Sequence, residues 1–429
     1  MRTFVWSTLS AAERADALAR PKRRRDAEVV DVVRRIFEEV EAEGLAAVER
    51  WSLALDKRAP KLLPLDANAV DAARAELGRD DLAALDLAVA NVAAYHEAIK
   101  PQPVEVEPAP GARCRRLWRA IQCCGLYVPG GTAPLFSTLI MLAVPARVAG
   151  VPQRIAVTPP NAAGGVHPMM IAAGAAAGLE SIWLLGGAQA IAALTFGAGD
   201  VAKADKLFGP GNAYVTEAKR YAAALPGGPA IDVPAGPSEL MVIADAGADP
   251  VIVAADLLSQ AEHDADAQVV FVTPFRALIG EVQRELERQA ATLPRANIAR
   301  AALNQSRTIE VRDLGEAADV ANAFGPEHLS LQVGDTDALV TRLSNVGAVF
   351  AGAYSAETFG DYICGPSHVL PTDGAARCWS GVTVASFMKS FVVQQLSEAG
   401  ARALAGPAAR LARLEGLEAH ARAADVRAR

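Results

Sequence analysis

Apolar residues recur along this chain with two different periods, and the change from one to the other predicts the architecture. Near the amino terminus Val29, Val32, Val33, Ile36, Phe37 and Val40 keep a helical spacing, and a second such run covers Leu82 to Ile99. Residues 1 to about 100 therefore read as helical. Pro101, Pro103, Pro108 and Pro110 then mark a linker or an extended crossing. From Cys124 onward, short β-rich runs alternate with helical ones. Ile155–Thr158, Ser181–Leu185 and Lys206–Phe208 read as strands, separated by helices near Leu135–Ala149, Pro168–Gly178, Ala188–Phe196 and Asn212–Ala224. Strands resume at Leu240–Ala244, Gln268–Thr273, Thr308–Val311, Leu329–Val333 and Ala348–Ala351. This alternation predicts βαβ units, mostly parallel sheet and two doubly wound modules. Beyond Gly381 the pattern is helical again, with so few large apolar residues that the tail is expected to pack outside its own domain, on a second subunit.

Composition narrows the function. The 429 residues are 52% hydrophobic and 21% charged, which suits a globular chain with a substantial core. A formal charge of −7 argues against nucleic acid as a partner. Five cysteines lack a framework spacing and point to a reducing compartment. Cys123-Cys124 read as small buried residues. Phe4-Val5-Trp6 is too short for a signal peptide, Lys22-Arg23-Arg24-Arg25 reads as a solvated helix start, and Pro134–Val151 is too short and interrupted to span a bilayer. A cytoplasmic protein without a membrane partner is expected.

Candidate chemistry concentrates in polar segments. Asp249-Pro250 signals a helix start. Val251, Ala254, Ala255, Leu258 and Ala261 define its expected buried stripe, while Asp256, Gln260 and His263 fall at i, i+4 and i+7 on the opposite face. That face reads either as solvated or as half of a metal site offering a carbonyl oxygen and an imidazole. Gly186-Gly187-Ala188-Gln189 and Gly209-Pro210-Gly211-Asn212 each follow a strand and open a helix, where backbone N–H groups can approach an anion. Neither completes the dinucleotide fingerprint, and tight strand–helix turns account for them equally well. Gly125–Thr132 is a third such turn, with the Tyr127 ring available for stacking. Gly325-Pro326-Glu327-His328 sets a carboxylate beside an imidazole at the mouth of a strand, as an acid–base pair or as a helix-end carboxylate with a bonded histidine. Gly360–His368 offers Asp361 and His368, with Glu357 upstream. Glu415 and His420 stand near the carboxyl terminus. Four of the six histidines lie in these segments, while His96 and His167 read as structural.

Taken in order, the segments Gly125–Pro145, Gly186–Ala192, Phe208–Lys219, Ile231–Asp245, Asp256–Asp264, Gly325–Leu329, Gly352–Thr372 and Glu415–His420 resemble the histidinol dehydrogenase family. The resemblance implies a zinc-requiring, NAD-dependent homodimer that oxidises L-histidinol to L-histidine through histidinaldehyde. A dehydrogenase of the same fold acting on another small amino alcohol or diol is the alternative. By position, Gln260, His263, Asp361 and His420 would hold zinc, the last supplied by the other subunit's tail. Tyr127, Gln189 and Asn212 would contact NAD, and Glu327 and His328 would be the acid–base pair. Ser238, Glu357, His368 and Glu415 would surround the substrate, together with Gln260, His263, His328, Asp361 and His420. The α/β fold implied is two incomplete Rossmann-like modules with a helical N-terminal arm (1–24) and a helical tail (382–429) exchanged in the dimer. Residues 25–126 and 238–381 would form the metal and catalytic module, and 127–237 the NAD module.

Overall fold

Long runs of β-branched and aliphatic residues that are buried on both faces make the backbone of this computed structural model, which describes residues 1–21, 27–130, 134–233 and 236–428. The basic block Lys22–Arg25 and the Gly131-Thr132 end of the first glycine turn lie outside the described residues. The first sheet runs, edge to edge, Arg2–Val5, Arg307–Glu310, Gln268–Thr273, Glu239–Ala244, His328–Gln332 and Ala348–Ala351, and every pairing is parallel. Alternate residues of its strands enter opposite cores. Leu240, Val242 and Phe271 meet Val253, Leu257 and Val282, while Met241, Ile243 and Leu329 meet Val320 and Phe324. Burial on both faces is what a parallel sheet with covering helices requires.

The second sheet runs Lys61–Pro64, Ser181–Leu184, Gln153–Thr158, Cys123–Tyr127, Lys206–Phe208 and Ala230–Ile231, parallel except for its first strand. Cys124, Leu126 and Ala156 face Leu139, Leu142 and Val89 on one side, and Cys123, Tyr127 and Val157 face Ile36, Phe37 and Ile191 on the other. The third sheet is antiparallel, in the order Met388–Leu396, Ala112–Ala120, Val104–Ala109. The tail ends in helices Glu398–Leu414 and Glu418–Asp425, which pack on each other. No helix among the described residues is long and apolar enough to cross a membrane.

Four sequence expectations need correction. The amino-terminal arm is not wholly helical, because Arg2–Val5 hydrogen-bonds as an edge strand along Arg307–Glu310. The helices Ala27–Glu43, Leu45–Leu55 and Arg79–Ala98 belong with the second sheet rather than with 238–381, since their apolar stripes pack on its two faces. The proline-rich crossing contains a strand, Val104–Ala109. The tail begins with another, Met388–Leu396, exposed along nearly all its length and held by main-chain pairing more than by burial.

Candidate active site

The site grows from one strand and one helix. In His328–Gln332 the side chains of His328, Ser330 and Gln332 share a face, by the two-residue period of a strand. The Pro250–Ala261 helix, capped by the Asp249 carboxylate on the Val251 N–H, lies on that face. Asp256 Oδ2 accepts from Ser330 Oγ at 2.8 Å and from Gln332 Nε2 at 3.0 Å. A crossover helix runs antiparallel to its strands, so Gln260, one turn beyond Asp256, points toward the beginning of the strand, where His328 stands. Asp256 and Gln260 of the polar stripe are therefore buried too. Val251 and Ala255, expected inside, are exposed, and Val253 and Leu257 take their place. Gln260 is fully buried, and neither its amide oxygen nor its nitrogen has a hydrogen-bond partner among the described residues.

Glu327 and His328 converge through the main chain of Glu239, the first residue of the neighbouring strand. The Glu239 N–H donates to Glu327 Oε2 at 2.8 Å, and its carbonyl lies 3.2 Å from His328 Nδ1. A carbonyl can only accept, so Nδ1 carries the proton and Nε2 presents a lone pair. That Nε2 is buried and without a partner among the described residues. His328 Nδ1 also lies 3.3 Å from Glu357 Oε1 and 3.5 Å from Glu327 Oε2. Burial pushes the imidazole pKa down to about 3, so the ring is neutral at physiological pH. Burial likewise holds Glu327 and Glu357 well above the usual carboxylate range, reinforced by their carboxylate neighbours, and raises Asp361 to about 7. His368 donates from Nδ1 to the Asp361 carbonyl at 2.9 Å, and Nε2 lies 3.3 Å from Thr138 Oγ1. Burial lowers its pKa to about 4.

His328, Glu357 and Asp361 place one potential ligand atom each within 4.8 Å of one another. With the orphaned Gln260 amide, these donors fit a divalent cation: imidazole, carboxylates and an amide oxygen, buried and short of partners. This donor group shares Gln260 and Asp361 with the expected ligand set, and brings His328 and Glu357 in place of His263 and His420. His263 is not on the helix, which ends at Ala261; it sits in the following turn, exposed, near enough for its charge to lower the His328 and His368 pKa values. Ser238 immediately precedes the Glu239 strand. Glu415 ends its helix, the chain breaks at Gly416 with φ +75°, and His420 follows on the last helix. Both are exposed, and neither joins the cluster within one chain.

A second polar group lies at the carboxyl ends of the second sheet. Gln189 is fully buried, its Nε2 donates to Asp56 Oδ2 at 3.0 Å, and its Oε1 has no partner among the described residues. Asp56 also accepts from the Gly186 N–H, and burial raises its pKa. Asn212 Oδ1 caps the Ala213–Ala224 helix through the Val215 N–H at 3.1 Å. Gly209, at φ +116°, tolerates no side chain, because a Cβ would lie 1.9 Å from the Tyr127 carbonyl. An orphaned acceptor beside helix N-termini and side-chain-free turns fits a dinucleotide. The Tyr127 ring, however, is not free to stack. It is 4% exposed, packed in the core, and its hydroxyl accepts from the Gly187 N–H at 3.2 Å.

Sequence reasoning missed Glu239 and Asp56. Glu239 acts through its backbone, which carries no residue-type signal. Asp56 meets a glutamine 133 positions away, and no local pattern pairs them.

A family model described as histidinol dehydrogenase matches residues 19–428. The histidinol dehydrogenase of Xanthomonas euvesicatoria pv. vesicatoria is 46% identical over 427 residues, covering 100% of this chain and 99% of the relative. That of Escherichia coli O157:H7 is 43% identical over 422 residues, covering 98% and 96%. The crystal structure of histidinol dehydrogenase from Elizabethkingia anophelis superposes with a TM-score of 0.95 at 37% identity, covering 100% of this chain and 98% of that one.

Proposed function

Because this chain belongs to the histidinol dehydrogenase family, we propose that it oxidises L-histidinol to L-histidine, completing histidine biosynthesis, through L-histidinaldehyde with reduction of two NAD+. The observation that carries the reading is the neutral His328, with Nδ1 engaged at Glu239 and Nε2 bare, beside the buried Glu327. Nε2 takes the proton of the substrate alcohol while the carbinol hydrogen leaves as hydride. The Glu327 carboxylate then removes a proton from water as the water adds to the aldehyde carbon, while the protonated His328 returns its proton to the carbonyl oxygen and is ready for the second step. Burial favours the neutral form of Glu327, so that once ionised it is a stronger base than a solvated carboxylate. A second hydride leaves the resulting diol as His328 again accepts the hydroxyl proton. One water is consumed and two NADH are formed for each histidine.

Gln260, His263, Asp361 and, from a second copy, His420 would hold zinc, which when bound would supply Lewis-acid chemistry to the substrate, and NAD+ would supply the hydride acceptor. Tyr127, Gln189 and Asn212 line the cofactor side, where Gln189 Oε1 offers an acceptor and the Gly187 and Gly209 turns admit the phosphates. Ser238, Glu357, His368 and Glu415 complete the substrate side. Glu327 and His328 are each 4% exposed, so the aldehyde is kept from bulk water between steps. The module of residues 238–381 thus carries metal and proton transfer, and residues 127–237 carry the cofactor.

Tail exchange in a cytoplasmic homodimer accounts for two further features. Leu411, Leu414, Leu417 and Val426 are exposed on a helical pair that packs mainly on itself, and Phe391 and Val392 are exposed on the adjoining strand. Exposed apolar side chains on these elements suit a second copy.

Absorbance of NADH on adding L-histidinol to the zinc-loaded protein tests the reading. Two NADH per histidinol are expected. Silence with histidinol, but a signal with another amino alcohol or diol, moves the chain to a different substrate.

A further inference from the structure

The guanidinium of Arg20 grips both segments that carry the acid–base pair, although it comes from the amino-terminal stretch that no motif singles out. Its Nε and Nη2 pair with the two carboxylate oxygens of Glu239, the latter at 2.6 Å. Nη1 donates to the Phe324 carbonyl at 3.1 Å, and Nη2 also donates to the Gly325 carbonyl at 3.3 Å. The guanidinium carbon stands 3.9 Å from the Phe324 ring centroid, a cation–π contact. Glu239 is fully buried, and its carboxylate additionally accepts the Asp373 N–H at 3.3 Å. Arg20 is itself braced, because Arg307 donates to the carbonyls of Ala17 and Ala19 at 2.9 and 2.7 Å.

These contacts form a short chain of command. Phe324 and Gly325 lead directly into Pro326-Glu327-His328, and the Glu239 main chain bonds both the Glu327 carboxylate and His328 Nδ1. We propose that Arg20 is a positioning residue for the Glu327–His328 pair, acting through Glu239 and through the turn that precedes the pair. The Glu239 carbonyl selects the His328 tautomer with Nε2 unprotonated, and the bidentate Arg20 fork fixes where that carbonyl stands. Arginine is required because only its planar fork can meet a carboxylate bidentately while its remaining N–H groups reach two carbonyls. The inference rests on the reading of Glu327 and His328 as the acid–base pair.

The test uses the full-length, zinc-loaded enzyme with Arg20→Gln, Arg20→Lys, Glu239→Gln and His328→Ala, reading kcat, KM for histidinol and for NAD+, and Tm. Misplacement of the base by a fraction of an ångström to 1 Å is expected to cost about tenfold to a hundredfold in kcat for Arg20→Gln and Glu239→Gln. Both KM values should stay within about twofold of the parent, because uniform binding is untouched. Arg20→Lys keeps the charge and should recover part of the lost kcat. A folded Arg20→Gln enzyme with lowered Tm but parental kcat per folded molecule overturns the inference, leaving Arg20 merely structural. Should Arg20→Gln fail to fold, Arg20→Lys decides alone: several-fold lower kcat at near-parental Tm supports positioning, and parental kcat overturns it. An inactive His328→Ala beside an unaffected Arg20 series strikes the inference only, whereas a fully active His328→Ala strikes the underlying assignment.

Discussion

Lys219 and Asp232 form a buried ion pair whose purpose is to hold one glycine peptide, and that purpose predicts an unusual mutational response. Asp232 Oδ2 accepts the Gly209 N–H at 2.7 Å, and Lys219 donates to the Gly209 carbonyl at 2.7 Å and to Asp232 Oδ1. The side chains are only 4% and 0% exposed. Lys219→Met replaces the ammonium with an apolar chain of similar length and leaves the Asp232 charge buried with one remaining donor. Removing one partner of such a pair costs about 3–5 kcal/mol. Replacing both partners with apolar residues usually restores stability. Here it should not, because the double change Lys219→Met/Asp232→Leu strips both main-chain groups of Gly209, each costing roughly 1–3 kcal/mol when left buried and unpaired. The double variant should therefore remain at least about 2 kcal/mol below the parent. Urea unfolding followed by circular dichroism and tryptophan fluorescence measures both losses, and calorimetric titration with NAD+ reports whether the Gly209–Asn212 turn still binds. A double variant as stable as the parent, with parental NAD+ affinity, would refute the account and reduce the pair to an ordinary buried salt bridge.

Two other outcomes follow from the site. His263→Ala should lose zinc together with activity while keeping its Tm in the zinc-free state, since His263 is an exposed turn residue; unchanged metal content would remove it from the ligand set. Zinc-free protein should lose stability as pH rises from the ordinary aspartate range near 3.8 through about 7, because the raised Asp361 pKa leaves the folded state holding a proton that the unfolded chain has released. The raised pKa values of Glu327 and Glu357 act in the same sense. Because the lowered pKa values of His328 and His368 act in the opposite sense up to about pH 6.5, the check is the Tm of the zinc-free parent relative to zinc-free Asp361→Asn, which should fall between pH 5 and 7.5; a difference that rises or stays flat would contradict it.

How much could be read from residues alone depends on what holds each element. The strands Gln268–Thr273 and Ala348–Ala351 coincide with their sequence-predicted bounds, because uninterrupted β-rich runs bounded by turns leave little choice. The third sheet escaped notice for the opposite reason. Val104-Glu105-Val106-Glu107 does alternate, but prolines flank it, and Met388–Leu396 has exposed residues on both faces and hence no period to read. Of the candidate site residues, Glu327, His328, Asp361, Glu357 and His368, each legible from its chemical type, stand in or against one cluster. The Pro250–Ala261 helix was found with its interior misjudged. Asp256 is buried because Ser330 and Gln332 meet it, and hydrophobicity patterns cannot anticipate a polar residue that is paid in hydrogen bonds. Arg20 and Glu239 were out of reach altogether, since 219 positions separate them.

Ligands in doubly wound folds are expected beyond the carboxyl ends of the strands, and the Gly186, Gly209 and Tyr127 turns of the second sheet obey that rule. Glu327, His328 and Glu239 instead stand at the amino ends of the first sheet. Contacts of His368 with Thr138 and of Thr372 with the Gly236 N–H join the loop of one module to segments flanking the other. The two ends differ in electrostatic sign. Helix N-termini gather at strand carboxyl ends and favour the pyrophosphate of a dinucleotide. Helix C-termini gather at strand amino ends, as the Pro250–Ala261 helix does beside Gln260 and His263, and they favour a cation. On the proposed reading, these opposite signs would suit an anionic cofactor at the second sheet and a cation beside the proton acceptor at the first.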